Sequence, residues 1–161
     1  MSWKTKFKAL PNWEKAFFIA ILLLPLYVVD KGFKRLDFVT SESIDALMVF
    51  KTGEPAKVGS YARFSMPRID NPDALMNVTK RIVCGPGDRL KIENLHVYCN
   101  GELLGTQIEK TPAGYPLPVF SYDGVIPGHM GFAMGDHPAS YDSRYWGLID
   151  IRHAERVSKV F

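Results

Sequence analysis

Residues 79–101 read TKRIVCGPGDRLKIENLHVYCNG, and this stretch decides the fold class. Thr79–Val83 leads into a Gly-Pro-Gly turn at Gly85–Gly87. Arg89–Glu93 then alternates polar and apolar side chains, and Val97–Cys99 returns before an Asn-Gly turn. Alternation with period two between glycine-rich turns is typical of short antiparallel strands. The stretch therefore predicts consecutive β-strands joined by tight turns.

Further short segments of the same kind lie on both sides of this stretch. Ala46–Phe50 and Ser60–Met66 precede it, and Gly128–Met134 and Leu148–Arg152 follow it. Each is short and is bounded by glycine, proline or charged residues, as strands are. We predict a mainly β fold, an antiparallel β domain over residues 30–161.

The composition is that of one folded domain. The chain has 161 residues, of which 47% are hydrophobic and 23% are charged, and these values exclude a disordered chain. Lys and Arg number 20 and Asp and Glu 17, so the formal net charge is only +3. A nucleic-acid-binding protein concentrates basic residues on one face. We therefore expect no nucleic-acid partner.

The N-terminal part of the chain carries a membrane-type pattern. Ala16–Val29 is a run of fourteen residues without a charge, with lysines before and after it. Basic residues that precede an apolar helix favour the cytoplasmic side for the segment that carries them. We predict a basic cytoplasmic N-terminus over residues 1–12, a transmembrane helix over 13–29 and a translocated domain over 30–161. A cleaved signal peptide is the alternative, but no small-x-small cleavage pattern follows the apolar run.

The chain has two cysteines, Cys84 and Cys99, in the part that we expect to be translocated. Disulfides persist in oxidising compartments, so we expect these two residues to be bridged. The alternative is a pair of reduced, buried cysteines that act as small hydrophobic residues. The four histidines form no ligand pair, and no metal site is expected.

The sequence contains no G-x-S-x-G motif, and no Ser-His-Asp triad is identified around the four histidines. A Ser–Lys pair is the remaining way to activate a serine, because a buried lysine loses its charge more easily. Lys80 fits this requirement, since strand alternation points Lys80, Ile82 and Cys84 to one face. From spacing alone, a surface lysine on a strand remains the alternative.

Two longer motifs carry a family resemblance. Lys80–Asp88 (KRIVCGPGD) resembles the lysine box of type I signal peptidases, and Gly135–Gly147 (GDHPASYDSRYWG) resembles their later G-D-N-x-x-x-S-x-D-S-R-Y-W-G box. The resemblance implies the antiparallel β fold of that family behind one N-terminal transmembrane helix. It also implies a serine endopeptidase with a Ser–Lys dyad that removes the leader from exported precursors and needs no metal or organic cofactor.

The resemblance assigns the general base to Lys80 and the nucleophile to Ser43. Ser43 lies just beyond the apolar segment, in a pattern like S-x-S-M-x-P, although Ile44 replaces the usual Met and Ala46 the usual Pro. Ser65, in a Ser-Met-Pro sequence, is the second candidate for the nucleophile.

The same resemblance implies supporting roles in the later box. Ser140 would bind and orient Lys80. Asp142 and Arg144 would form a structural ion pair, and Asp142 is also a weaker catalytic candidate. The oxyanion would be bound by the backbone N–H of the nucleophile and by the Ser41 hydroxyl.

A narrower similarity is to conjugative-transfer peptidases of the TraF type. It rests on Ala46–Lys51, on Lys57–Phe64, on the cysteine in the lysine box and on Tyr98–Gly101. It implies a bacterial inner-membrane enzyme with a periplasmic catalytic domain that matures a pilin, with or without cyclisation. Its partners would be the exported pilin precursor, membrane lipid and the conjugation machinery.

Three alternatives stay open at this stage. One is a general type I signal peptidase, and another is a non-catalytic, membrane-anchored assembly module of a conjugation system. The third is a self-cleaving repressor with a Ser–Lys dyad, which would need an N-terminal helix-turn-helix.

Overall fold

The computed structural model describes residues 11–39, 43–67, 73–111 and 113–160. The chain divides into an N-terminal unit that ends at Leu36 and a larger unit that begins at Asp37. Residues 1–10 of the expected cytoplasmic N-terminus lie outside the described residues.

The N-terminal unit contains one helix, α1 (Asn12–Phe33), of 22 residues. Pro11 precedes the helix in an extended conformation, and Pro25 lies inside it. The helix thus covers the predicted segment 13–29 and continues for another turn. Its membrane-spanning character is not confirmed, because among the described residues no helix is both long and apolar enough to cross a membrane.

The larger unit is built from short strands. In order along the described chain they are β1 (Leu36–Phe38), β2 (Met48–Pro55), β3 (Tyr61–Pro67), β4 (Leu75–Cys84), β5 (Arg89–Glu93), β6 (His96–Cys99), β7 (Glu102–Thr106), β8 (Asp123–Val125), β9 (Met130–Met134), β10 (Ile149–Asp150) and β11 (Glu155–Lys159). One helical turn, α2 (Ser143–Trp146), and a 3₁₀ turn (Ile151–His153) interrupt them.

The strands form two sheets, and every register that the structure gives is antiparallel. The larger sheet has the order β1-β2-β11-β3-β4-β9-β10, and the smaller has the order β7-β6-β5-β8. The predicted mainly antiparallel β fold is confirmed. Residues 79–101 supply the second half of β4 and all of β5 and β6. Asn94 and Leu95 have positive φ in the tight turn between β5 and β6.

One predicted strand is much shorter than expected. The segment Leu148–Arg152 pairs only at Ile149 and Asp150. The Asp150 side chain then accepts a hydrogen bond from the backbone N–H of Arg152 at 2.9 Å, which caps a 3₁₀ turn. A short polar side chain that binds the following backbone favours a turn over a strand.

A disulfide between Cys84 and Cys99 connects the two sheets. It joins the end of β4 to the end of β6, with the Cα atoms 5.9 Å apart. Both cysteines belong to the apolar cluster between the sheets, together with Leu90, Val97 and Phe132. The strand that carries Lys80 is thereby fixed at its C-terminal end.

Candidate active site

Lys80 is a buried lysine on β4, with only 3% of its surface exposed. It pairs with Ala62 of β3, and the alternation of β4 buries Lys80 and Ile82 while Arg81 points to solvent. Its Nζ donates a hydrogen bond to Ser140 Oγ at 2.6 Å. The apolar pattern of the strand thus places an amine in the protein interior.

The environment of Lys80 weakens its hold on the proton. Burial lowers the pKa of Lys80 to about 8, because the charged ammonium loses its hydration. Asp142 raises the pKa and Arg144 lowers it, so these two neighbours largely oppose each other. Near neutral pH, a much larger fraction of Lys80 is therefore deprotonated than of an exposed lysine.

Asp142 and Arg144 form a buried ion pair beside Lys80, and both side chains are at most 3% exposed. Arg144 donates to Asp142 through Nε and through a terminal nitrogen, each at 2.8 Å. Arg144 also donates to the backbone carbonyls of Ser140 at 3.1 Å and Thr106 at 3.0 Å. The planar guanidinium therefore fixes the position of the loop that carries Ser140.

Ser43 lies on the loop between β1 and β2 and is partly buried. Its backbone carbonyl accepts a hydrogen bond from the N–H of Asp136 at 2.7 Å. The next residue, Ile44, is 3% exposed and packs against Val49 and Val157. These contacts fix the backbone of the Ser43 loop against the domain.

Ser43 and Lys80 line the same cavity, which has a volume of about 260 Å³. Among the described residues no hydrogen bond joins the two side chains, and Lys80 binds Ser140 instead. The other residues of the wall come from β1, β2, β3, β4 and two loops: Asp37, Phe38, Val39, Val49, Arg63, Met66, Met76, Asn77, Val78, Thr79 and Tyr141.

One edge of β4 is open beside this cavity. Residues 75–81 of β4 pair with β3, whereas the registers with β9 cover only Arg81, Ile82 and Cys84. Within the described part of the sheet, the backbone from Leu75 to Lys80 therefore has an unpaired edge next to Ser43. An unpaired strand edge is a template for an extended peptide.

Asp136 is a residue whose role the sequence reasoning missed, although it lies in the quoted Gly135–Gly147 motif. Its carboxylate accepts hydrogen bonds from Tyr61 Oη at 2.7 Å, from Lys159 Nζ at 2.8 Å and from the N–H of Asp45 at 3.2 Å. Burial alone would raise the pKa of Asp136, but these donors lower it overall. Asp136 thus ties the loop of Ser43 to β3 and β11.

Of the two other serine candidates, only Ser65 is described by the structure. Ser65 is exposed on β3, and its Oγ donates to Asn77 Oδ1 at 2.8 Å. It lines a separate groove with Phe64 and Trp146 and not the cavity of Lys80. Ser41 lies outside the described residues.

The family model for signal peptidase, peptidase S26, matches residues 12–159. The chain belongs to this family. The predicted membership in the signal peptidases is thus confirmed, whereas no finding bears out the narrower TraF-type branch.

Curated relatives and a solved structure carry the same description. The chain is 29% identical over 140 residues to probable signal peptidase I-1 of Synechocystis sp., covering 81% of this chain and 69% of that protein. It is 35% identical over 72 residues to probable signal peptidase I-2 of the same organism, covering 44% of this chain and 31% of that protein. A crystal structure of a signal peptidase I from Enterococcus faecalis matches with 22% identity and a TM-score of 0.40, covering 66% of this chain and all of that one.

Gly135 gives a direct test of the site geometry. A Cβ atom there would lie 2.2 Å from Ser140 Oγ and 2.6 Å from the carbonyl oxygen of Ser43. We expect Gly135→Ala to displace both groups and to lower peptidase activity about a hundredfold, the effect of an ångström-scale misplacement. The activity is measured as kcat/KM, and thermal unfolding is followed in parallel.

Gly128→Ala is the matched control, because nothing lies within 4 Å of a Cβ atom at Gly128. It should retain full activity. If Gly135→Ala is as active as Gly128→Ala, the close packing of Gly135 against Ser43 and Ser140 has no part in the site.

Proposed function

We propose that this chain is a serine endopeptidase in which Ser43 is the nucleophile and Lys80 the general base. The observation that carries the proposal is a buried lysine of lowered pKa in the cavity that also contains Ser43. A lysine buried at this cost without an acidic partner in contact is unusual for a purely structural residue. Membership in the signal peptidase S26 family supports the same assignment.

The reaction follows from these two groups. Neutral Lys80 takes the hydroxyl proton as Ser43 Oγ attacks the carbonyl carbon of the scissile bond. Lys80 then returns the proton to the leaving amine, and an acyl-enzyme remains. Water attacks the ester, and Lys80 accepts one of its protons and passes it to Ser43 Oγ as the acyl–oxygen bond breaks, which restores both groups. This chemistry needs neither a metal nor an organic cofactor.

The two proposed catalytic side chains are not hydrogen-bonded to each other in the described structure. Because Lys80 donates to Ser140 and not to Ser43, the proton transfer requires the Ser43 hydroxyl to come within hydrogen-bond reach. Catalytic hydrogen bonds often tighten only in the substrate complex. Ser140 meanwhile holds Lys80 in one rotamer and orients its amine.

For Asp142 we propose a structural role. One carboxylate oxygen accepts from Arg144 Nε, and the other accepts from Arg144 and from the N–H of Gly135 at 2.9 Å. A carboxylate engaged in this way is not available as a base. The oxyanion would be bound by the backbone N–H of Ser43, and Ser41 remains the candidate for a second donor.

The substrate we propose is the leader region of an exported precursor. An extended peptide would lie along the open edge of β4 and receive main-chain hydrogen bonds there. The apolar side chains of Val39, Val78 and Met76 on the cavity wall suit small apolar substrate residues. Among exported precursors we favour a conjugative pilin, on the TraF-type pattern of the sequence. A general signal peptidase is consistent with the curated relatives.

We further propose that the chain is attached to the bacterial inner membrane, with its catalytic domain in the periplasm. Large apolar side chains of α1 are exposed, among them Leu22 at 71% and Leu24 at 62%. Such a helix is normally covered by lipid or by protein. The Cys84–Cys99 disulfide supports an oxidising compartment for the larger unit.

Two other classes of function are less consistent with these observations. A non-catalytic assembly module has no use for a lysine of lowered pKa in a cavity beside a serine. A self-cleaving repressor would need a helix-turn-helix before its protease core, whereas the described residues 12–33 form one helix.

Co-expression with candidate precursors tests the proposed reaction. A pilin precursor and a general secretory precursor are each expressed with the wild-type chain or with Ser43→Ala, and the products are weighed by intact-mass spectrometry. We expect leader loss only with Ser43 present and a rate loss of about 10⁴-fold or more in the variant. A mature pilin lighter by one further water would show cyclisation. Ser65→Ala is the matched control and should process normally; equal masses with wild type and Ser43→Ala would refute the proposal.

The pH profile tests the role of Lys80. Since only neutral Lys80 accepts a proton and its pKa is lowered to about 8, kcat/KM should rise with pH and level off above a midpoint near 8. Lys80→Ala and Lys80→Arg should both be inactive, because arginine does not lose its proton in proteins. A midpoint near 6.5, the usual histidine value, would assign the base to another residue.

Cell fractionation tests the proposed location. The full chain should sediment with membranes after an alkaline wash and should contain linked Cys84 and Cys99 in non-reducing peptide maps. A chain that starts at residue 37 should stay in the cytosol with both thiols free to alkylate. Recovery of the full chain in the cytosol with reduced thiols would contradict the proposal.

A further inference from the structure

The cavity beside Ser43 carries charged groups on one wall. Asp37 of β1 forms ion pairs with Lys51 of β2, at 3.0 Å, and with Arg63 of β3. The three side chains are only 22–25% exposed. Asp37 and Arg63 both line the cavity of Ser43 and Lys80.

The charge of this cluster is not balanced. Among the described residues, Lys51 and Arg63 form ion pairs with one carboxylate, that of Asp37, whereas Glu155, the register partner of Arg63 on β11, forms no ion pair with either. The remaining titratable groups of the described wall are Lys80 and Tyr141, and neither supplies a negative charge near neutral pH. Partly buried cations are stabilised by a second anion, and a substrate carboxylate in the cavity would supply it.

The position of Arg63 brings it within reach of a bound peptide. Arg63 is the register partner of Thr79, which directly precedes Lys80 on β4. A peptide strand added to the open edge of β4 would lie about 10 Å from β3, two strand spacings away. An extended arginine side chain and an acidic side chain together span that distance.

We propose that Arg63 is a specificity-determining residue that binds an aspartate or glutamate side chain of the substrate, within a few residues of the scissile bond. Asp37, which also pairs with Lys51, holds the guanidinium in place. This inference rests on the proposed function of the cavity, and it adds one charged contact to an otherwise apolar recognition surface. The contrary view is that the cluster only ties β1, β2 and β3 together.

The cleavage rates of a set of peptides test the inference. The probes are alanine-based peptides and peptides copied from any precursor segment that is cleaved. Each peptide carries a single Glu, Gln or Lys at one of six positions, four before the cleavage point and two after it. The wild-type full chain, in a neutral detergent, should cleave the Glu form about fivefold faster in kcat/KM than the Gln form at one position. The Lys form should be slower still, and added salt should reduce the difference.

The variants assign the effect to Arg63. Arg63→Gln should lose the preference for Glu while still cleaving the Gln form, and Arg63→Lys should retain part of the preference. Arg89→Gln is the matched control, since Arg89 is an ion-paired surface arginine on the other sheet. Thermal unfolding confirms that each variant is folded. A wild-type chain that cleaves the Glu, Gln and Lys forms equally at every position overturns the inference, as does a preference that persists in Arg63→Gln.

Binding separates this inference from the proposed reaction. The same peptides are titrated into the Ser43→Ala full chain, which should bind the Glu form more tightly than the Gln form. Cleavage without charge preference leaves the peptidase proposal standing and removes the role of Arg63. Charge-selective binding without any cleavage by the wild type supports Arg63 and refutes the peptidase. If the wild type cleaves none of the peptides and the Ser43→Ala chain binds none of them selectively, both proposals are refuted.

Discussion

The burial of the Lys80 amine is the constraint on which the rest of the site depends. An ammonium group in the interior is costly unless it is paired. Within the described part of the chain, the hydrogen-bond partner of Lys80 is a hydroxyl, that of Ser140, and not a carboxylate. Asp142 lies close enough to affect its pKa, but Arg144 neutralises that carboxylate. The desolvation of Lys80 is therefore left largely uncompensated, and its pKa remains low. Replacing Arg144 by a neutral residue would free Asp142 to stabilise the charged lysine.

One segment of the chain positions both of the proposed catalytic groups. The turn after β9 approaches Ser140 and the Ser43 carbonyl so closely at Gly135 that no side chain fits. The next residue, Asp136, donates its N–H to Ser43 and accepts hydrogen bonds from Tyr61 and Lys159 through its carboxylate. A change in this turn would therefore move nucleophile and base together, and the site behaves as a unit.

The strand pattern of the sequence was sufficient to predict the central strands and the common face of Lys80, Ile82 and Cys84, because alternation is a local property. It left open whether that face is buried, since burial depends on the neighbouring strands. It did not predict β11, in which Val157 is the only fully buried residue, since that strand is defined by its two neighbours. The ion pairs of Asp37 with Lys51 and Arg63 were also missed, because they join three strands far apart in sequence. Ser43 and Ser140 were assigned from the resemblance to a known family. Ser43 contacts Asp136 and Ser140 contacts Lys80, and both contacts join residues far apart in sequence, so they leave no periodic signal.

In the proposed mechanism, the resting contact between Lys80 and Ser140 has a consequence for the order of events. A peptide strand on the edge of β4 would cover the cavity and remove water from it. Further desolvation lowers the pKa of a lysine, so substrate binding itself would increase the neutral fraction of Lys80. A substrate carboxylate at Arg63 would act in the opposite direction, because a nearby negative charge stabilises an ammonium. It would be compatible with catalysis only if Arg63 neutralises it, as Arg144 neutralises Asp142.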